Sequence, residues 1–322
     1  MKEKKKYTSI GGSALIEGVM MQGNGKMGIA VRRSNGEIVL KVQPARKTKL
    51  FLAKIPIVRG LVNFVLSMMT SYKALMYSAD ISLEEIEEET GEKSSFFDSG
   101  LGKLITYVSM ALGILLGVGL FMYLPTLLTD LISRWVPMND AVKRIIVGCV
   151  KMLIFFIYML SVSLMKDMRR VFQYHGAEHK TIFCYEAKAV LTPENAKTFK
   201  RFHPRCGTSF IVITLIVSIA VSFLIPWQNA LWHSVLKVLF LPVVMGIAYE
   251  CIKLAGKYDN LFTRILSAPG VWFQRITTKE PDESQLEIAI WALRLVLEDF
   301  PMDTQLIVDG DGNAIPEQKK DE

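Results

Sequence analysis

Residues 101–128 read LGKLITYVSMALGILLGVGLFMYLPTLL, with no charged side chain after Lys103. A transmembrane helix needs about 20 predominantly apolar residues, so this stretch is long enough to cross a bilayer. Further apolar stretches of similar length follow at about 145–165, 208–227 and 230–251. We therefore expect a mostly α-helical, polytopic membrane protein with four spans and small cytoplasmic α/β parts.

The overall composition agrees with a membrane protein. The chain has 322 residues, of which 51% are hydrophobic, and a mean hydropathy of +0.29, which is too apolar for a soluble protein by default. Its formal net charge of +7 comes from 38 basic and 31 acidic residues. Because the basic residues flank apolar segments, this charge predicts contact with the lipid bilayer and its anionic lipid head groups, and no binding of nucleic acid.

The positions of lysine and arginine predict the orientation, because cytoplasmic loops of membrane proteins are enriched in both. The chain begins with a strongly basic segment, and the loop between spans two and three, residues 166–206, holds nine lysines and arginines. On the other side, the turn after the first span offers Arg134, and the turn after the third span has no basic residue. Both termini and the loop 166–206 are therefore predicted to be cytoplasmic.

The segments outside the spans divide into smaller predicted pieces. Residues 1–50 contain a cytoplasmic β-hairpin around Asn35-Gly36, a dipeptide that suits a two-residue type I′ turn. A polar stripe along 51–80 predicts an amphipathic helix that lies at the membrane interface or packs on the bundle, and we favour the interfacial helix. Were it a fifth span, the basic loop would move outside, against the charge rule. The other pieces are an acidic connector at 81–100, the membrane domain at 101–256, a C-terminal cytoplasmic helical region at 257–308 and a disordered tail at 309–322.

The loop 166–206 contains three of the four histidines and is the predicted site of chemistry. His175, Glu178 and His179 have the spacing at which a helix places side chains on one face. Their H-x-x-E-H order is that of inverted zinc peptidases, in which both histidines bind zinc and the glutamate is the base. Those peptidases are soluble α/β proteins, so we interpret the likeness as convergent. The pattern predicts His175 and His179 as metal ligands and Glu178 as a catalytic base.

Three more residues are candidate metal ligands. His203 and Cys206 close the same loop, and Glu250 lies near the end of the fourth span on the same predicted membrane face. Nitrogen and sulfur ligands favour zinc as the divalent metal. The alternative is that His175 and His179 cap helix ends, or bind lipid phosphate together with neighbouring arginines of the loop.

Two other patterns point to different functions, and we give both less weight. The Gly-x-Gly-x-x-Gly stretch at 23–28 matches a dinucleotide fingerprint, but a strand-like run follows it where a helix is required. Lys151 and Lys237 within predicted spans would suit a transport path. Such a path normally needs paired charges, and the predicted spans hold no acid except Glu250 near an end.

Several strings of sequence carry a resemblance to one family. They are GGSALIEGVMM at 11–21, AVRR at 30–33, HGAEHK at 175–180, HPRCGTSF at 203–210 and PGVWFQRITT at 269–278. Over most of its length the chain resembles the YqhQ-like family of bacterial multi-pass membrane proteins. The resemblance implies a place in the bacterial inner membrane and a metal-dependent activity, without a defined reaction.

These observations lead to two hypotheses of function. The first is a metal-dependent hydrolase at the cytoplasmic membrane face, acting on an unknown substrate with Glu178 as the base. The second is a non-enzymatic membrane scaffold or assembly factor in which a metal holds the loop together. A free coordination position would favour the enzyme, and four protein ligands would favour the scaffold.

Overall fold

The computed structural model describes residues 8, 10–45, 55–90, 100–204, 206–226, 229–257, 261–309 and 314–315. The protein is mostly helical, and the strands form one small antiparallel sheet. The expected fold class is confirmed to this extent, whereas the count of four spans is not.

The sheet has six strands that pair in sequence order, each antiparallel to the next. The strands are β1 (Gly11–Leu15), β2 (Gly18–Gly23), β3 (Lys26–Arg32), β4 (Ile38–Pro44), β5 (Gln305–Val308) and β6 (Ala314–Ile315). Four strands therefore come from the N-terminal part of the chain and two from the C-terminal part.

Within the described ranges the chain forms ten α-helices and one π-helical turn. The helices are α1 (Val58–Thr90), α2 (Gly100–Val118), the π-helix (Gly119–Tyr123), α3 (Leu124–Ile132), α4 (Asp140–Leu164), α5 (Lys166–Glu186), α6 (Pro193–Lys197), α7 (Gly207–Ser222), α8 (Ala230–Lys257), α9 (Leu261–Thr277) and α10 (Glu283–Leu297). The π-helix joins α2 to α3 without a break.

Three helical stretches are long and apolar enough to cross a membrane: Leu104–Ile132, Asp140–Leu164 and Ala230–Leu254. The first lies on the outside of the molecule, where Leu115 and Leu116 are 68% and 65% exposed. Such a large apolar surface suits contact with lipid. The predicted third span corresponds to α7, which is also apolar but has only 16 residues.

The sheet lies between two helical layers, so the inner strands β2 and β3 are buried on both faces. One face packs against α10 and α5, and the other packs against the second half of α1 around Ala74 and Ile81. Gly28 permits the first contact, because a Cβ there would lie 2.6 Å from Cβ of Leu295. Gly25 forms the β2–β3 turn with a φ of +79°. The glycines at 23–28 therefore serve turns and packing.

The turn of the predicted hairpin differs from expectation. The hairpin is present as β3 and β4, but of its turn residues, all of which are described, only Gly36 has a positive φ, +91°. A type I′ turn needs a positive φ at both central residues. The loop is longer, and the backbone N–H of Arg33 closes it by donating to the carbonyl of Glu37 at 2.8 Å. The predicted type I′ turn was therefore wrong.

Regular structure also replaces parts of two predicted segments. Helix α1 continues through the acidic residues 84–90, where a connector was expected, and residues 91–99 lie outside the described residues. In the predicted disordered tail, 314–315 form β6 against β5, while 310–313 and 316–322 lie outside the described residues. Helix formation continues past the acids because helix propensity is high for glutamate.

Candidate metal centre

The histidine motif lies on α5, which makes a close backbone contact with the segment after α9. Gly176 permits this contact, because a Cβ at its position would lie 2.1 Å from the carbonyl oxygen of Lys279. The backbone N–H of Lys279 also donates to the carbonyl of Phe172 at 2.8 Å. The predicted loop 166–206 is thus largely helical, and its helix α5 is held against residues 277–279.

Three side chains from two elements converge beside this contact. The candidate ligand atoms of His175, His179 and Cys206 all lie within 4.8 Å of one another. Nε2 of His175 lies 3.1 Å from Sγ of Cys206, and the two imidazole centroids are 4.5 Å apart. Cys206 reaches the histidines because it is the N-cap of α7. Two nitrogens and one sulfur match the number and kind of protein ligands in a catalytic zinc site.

Backbone carbonyl groups hold both imidazole rings in a defined orientation. Nδ1 of His175 lies 2.8 Å from the carbonyl oxygen of Thr277, and Nδ1 of His179 lies 2.5 Å from that of Arg201. A carbonyl oxygen can only accept, so each Nδ1 must donate, and in a neutral ring each Nε2 keeps a lone pair. Metal-binding histidines usually make such a second hydrogen bond. The donor set therefore fits a divalent ion such as zinc.

His203 lies next to this group but is not one of the three converging residues. Its ring centroid is 5.5 Å from that of His179 and 4.6 Å from the ring of Phe183. Gln274 fixes its backbone: the N–H of His203 donates to Oε1 of Gln274, and Nε2 of Gln274 donates to the carbonyl of His203, both at 2.7 Å. His203 thus lies beside the site with its backbone fixed by Gln274.

The structure does not bring Glu250 to the His175, His179 and Cys206 group. Its carboxylate accepts two hydrogen bonds from Arg59, from Nε at 2.6 Å and from Nη2 at 2.5 Å. These bonds join α8 to α1. The charge of Glu250 is thus matched by a cation 191 residues away in the sequence.

Glu178 is buried and faces β1. The carboxyl carbon lies 3.0 Å from where a Cβ of Gly12 would stand, and the backbone N–H of Gly12 donates to the carboxylate. Burial raises the pKa of the Glu178 carboxyl, while nearby His175 and the Gly12 N–H act in the opposite direction. Glu178 is therefore a carboxyl group beside the three candidate ligands and not one of them.

A cavity of about 520 Å³ lies between the sheet and α1, and its wall includes neighbours of Glu178 and Cys206 but neither of these two residues. Gly12, which contacts Glu178, forms part of its wall, and so does Gly207, which follows Cys206. The rest of the wall comprises residues of the β1–β2 and β2–β3 region and the polar stripe of α1: Gly11, Met20, Gln22, Gly23, Asn24, Gly25, Ala45, Ser67, Thr70 and Ser71. The polar stripe that sequence reasoning assigned to the membrane interface thus lines a cavity.

Charged contacts around α5 were missed by sequence reasoning. Lys180 and Arg201 both form ion pairs with Glu280. Burial acts to raise the pKa of the Glu280 carboxyl, but hydrogen bonds from the two cations outweigh burial and lower this pKa. On the opposite side, Arg170 forms an ion pair with Glu17 in the β1–β2 turn. The partners are far apart in sequence, so no spacing pattern pointed to them. Glu17 does, however, lie within the string GGSALIEGVMM.

The fold and the site define a mostly helical protein with three candidate membrane-spanning stretches and a His/His/Cys group in which His179 and Cys206 are buried and His175 is half-buried. The family described as "Protein of unknown function (DUF1385)" matches residues 55–299, and the chain belongs to this family. The chain is also 36% identical over 299 residues to "Uncharacterized protein YqhQ" of Bacillus subtilis (strain 168), covering 90% of this chain and 92% of that relative. The predicted membership of the YqhQ-like family is therefore confirmed. No solved structure matches the chain.

Proposed function

We propose that the protein is a metal-dependent hydrolase of the bacterial inner membrane, with its site on the cytoplasmic side. One observation carries the proposal: both histidines of α5 donate from Nδ1 to backbone carbonyls, which leaves Nε2 of each available beside a cysteine. His175, His179 and Cys206 are the proposed ligands, and zinc suits their donor atoms best. Three protein ligands leave a position for a reactant, as in catalytic zinc sites.

The reaction is divided between the ion and the chain. When bound, zinc supplies Lewis-acid catalysis. Glu178 is the proposed base, which takes a proton from the attacking water, and burial raises the pKa of its carboxyl and with it the basicity. The cavity bounded by Gly12 and Gly207 is the proposed substrate site, since its volume of about 520 Å³ suits a small molecule.

The strand pairing of the sheet is evidence for a topology with four spans and both termini in the cytoplasm. It joins strands from the two ends of the chain, because β4 pairs with β5, and it also packs against α5 between the second and third predicted spans. In the proposed topology these three segments lie on one side of a membrane, and α7 crosses it as well. A helix shorter than about 20 residues is accommodated by local thinning of the bilayer. Nine basic residues in 166–206 support a cytoplasmic position for this side.

Helix α1 packs against the sheet, which supports a position on the same side as the proposed site. Ser67, Thr70 and Ser71 face the cavity next to the proposed metal site. The helix also packs closely on α8, where Gly60 approaches Gly246: a Cβ on Gly60 would lie 2.9 Å from the carbonyl oxygen of Gly246. In this arrangement, the proposed substrate site opens at the level of the lipid head groups.

Metal analysis of the purified protein tests the proposal. We expect about one zinc ion per chain, as for a single site with three protein ligands. The double variant His175→Ala/His179→Ala and the single variant Cys206→Ala should both lose the ion. Cys184→Ala is the matched control, because Cys184 is also buried and lies on α5 but outside the group. Equal metal content in the wild type and the His175→Ala/His179→Ala variant would refute these ligands.

A membrane scaffold with a structural metal is the second candidate function. The observation that favours it is the position of His203, whose ring is buried and lies 5.5 Å from that of His179. In the scaffold, this ring would supply the fourth ligand and close the site. His203→Ala separates the two functions: it should leave the metal content unchanged in the enzyme and reduce it in the scaffold.

A further inference from the structure

Two lysines inside the helical bundle share one cavity that the proposed hydrolase does not use. Lys151 on α4 and Lys237 on α8 are only 7% and 9% exposed. Both line a cavity of about 110 Å³, far along the bundle from the histidine helix. The other lining residues are Phe121, Met122, Thr214, Leu215, Ser218, Val221, Ile225, Phe240, Leu241 and Val244.

Both lysines lie deep in stretches that are apolar enough to cross a membrane. Lys151 is eleven residues into α4 and Lys237 is seven residues into α8, which corresponds to roughly 16 and 10 Å along the helix axes. The hydrocarbon core of a bilayer is about 30 Å thick. A charged group at such depth is costly, and it is normally matched by an opposite charge or serves a function.

The protein offers the two ammonium groups little compensation. Nζ of Lys151 donates to Oγ of Ser218 at 3.2 Å, and Nζ of Lys237 donates to Oγ1 of Thr126 at 3.3 Å. Each ammonium carries three donors, so these hydroxyl groups account for one apiece. Among the described residues that line the cavity, none is acidic. When both lysines are protonated, two like charges therefore repel each other across an apolar space.

The backbone around the cavity is also unusual. Phe121 and Met122 belong to the π-helix, a form that is rare and frequently occurs at functional sites. The carbonyl of Met122 accepts hydrogen bonds from Thr126 at 2.9 Å and from Ser234 at 3.2 Å. The π-helix is thus fixed by α8 and by the same threonine that Lys237 contacts. Its irregular turn shapes one wall of the cavity.

We propose that this cavity binds an anionic phosphate group between Lys151 and Lys237. An anion with several oxygen atoms can accept hydrogen bonds from both ammonium groups at once and offset their repulsion. The cavity volume of about 110 Å³ is several times the ~30 Å³ that one water molecule occupies in the liquid, so it has room for a group of this size. The phosphate belongs either to a phospholipid head group or to free phosphate.

The walls favour the phospholipid as the source. Most lining residues are apolar, and several of them, including Phe121, Leu215 and Leu241, are only partly buried at the side of the bundle. An acyl chain could follow this apolar surface while the head group reaches the lysines. This site differs from general attraction of lipid to the basic loop, because it requires two particular lysines inside the bundle.

Thermal unfolding of the full chain in an uncharged detergent tests the proposal with three probes: phosphatidylglycerol, phosphatidylcholine and inorganic phosphate. A ligand that binds only the folded state raises the unfolding midpoint. We expect phosphatidylglycerol to raise the midpoint more than phosphatidylcholine. In Lys151→Met/Lys237→Met the response should be lost, with binding at least about ten-fold weaker, because both charged partners are gone. Phosphate alone raising the midpoint, with the same lysine dependence, would identify free phosphate as the ligand.

The matched control is Lys143→Met/Lys253→Met, which changes one lysine on each of the same two helices outside the cavity. This control should respond as the wild type does. The cavity variant should fold at least as well as the wild type without added anion, since two like charges leave an apolar interior. Single Lys151→Met and Lys237→Met variants should each respond less than the wild type. The proposal would be overturned if neither phosphatidylglycerol nor inorganic phosphate raised the unfolding midpoint. It would also be overturned if the wild type and the cavity variant responded equally.

Discussion

At the scale of single residues, the candidate site depends on which nitrogen of each histidine is available. His175 and His179 both use Nδ1 to donate to a backbone carbonyl, at Thr277 and Arg201. Because the acceptors belong to the main chain, substituting those two side chains would not directly remove them. The tautomers are therefore set by how the chain folds around α5 and by no property of the histidines themselves.

Glu178→Gln tests whether the site is catalytic. The substitution keeps the shape of the side chain and removes the base, and general-base catalysis contributes roughly 10²–10⁴-fold to a rate. We expect normal protein abundance, normal metal content and lost activity when the variant is used to complement a deletion strain. Glu186→Gln, the same change on the same helix but next to Thr8, should complement fully. Full complementation by Glu178→Gln would refute the hydrolase and leave the scaffold.

At the scale of elements, one glycine determines how closely α5 approaches residues 277–279. Any side chain at position 176 meets the carbonyl oxygen of Lys279, which is backbone and cannot rotate away. The same segment carries the Thr277 carbonyl that orients His175. A shift of α5 would thus disturb both the packing of the helix and the arrangement of the candidate ligands His175, His179 and Cys206.

Gly176→Ala should lower the stability of the protein and its metal content. Overpacking a close contact typically costs about 1–3 kcal/mol, which exceeds the gain of up to about 1 kcal/mol in helix propensity. Unfolding midpoints in detergent and metal analysis measure the two effects. Gly113→Ala is the control, because no heavy atom of the described residues lies within 4 Å of a Cβ at that position of α2. A Gly176→Ala protein as stable and as metal-rich as the wild type would show that the contact is not required.

At the scale of the whole molecule, the sheet ties together parts of the chain that the membrane segments separate. Ile38 on β4 lies opposite Val308 on β5, and α5 packs against β1 and β2 of the same sheet. This arrangement brings the N-terminal region, the histidine helix and the C-terminal region to one side. The sheet thus supports an even number of crossings between these segments, and the proposed cytoplasmic side rests on the basic residues of 166–206.

Cysteine labelling in intact cells with a membrane-impermeant reagent tests the orientation. A cysteine at position 188, in place of the exposed Lys188, should stay unlabelled if the histidine helix is on the cytoplasmic side, as proposed. A cysteine at position 229, in place of the exposed Asn229, should react, because it lies in the turn before α8. The unsubstituted chain reports the background from its four native cysteines, and lysed cells should label both positions. Labelling of position 188 in intact cells would reverse the orientation and remove the cytoplasmic site.

The sequence by itself determined those features that depend on local periodicity. Long apolar runs predicted the helices of the bundle, because a helix must carry apolar side chains along its length to face lipid. The spacing of His175 and His179 predicted a shared helix face, and the structure places both on α5 with their rings 4.5 Å apart. The family strings identified the family. Each span, each family string and the histidine pair is a local pattern, in which the informative residues lie close together in the sequence.

Only the tertiary structure decided which distant residues lie next to His175 and His179. The sequence offered His203, Cys206 and Glu250 as further ligands, and folding brings Cys206 to the histidines while Glu250 pairs with Arg59. Likewise, no pattern predicted a sheet built from both ends of the chain. The physical reason is that such contacts depend on how whole helices pack and on which partner neutralises each buried charge. The spacing of residues in the sequence does not indicate either the packing of the helices or the pairing of the charges.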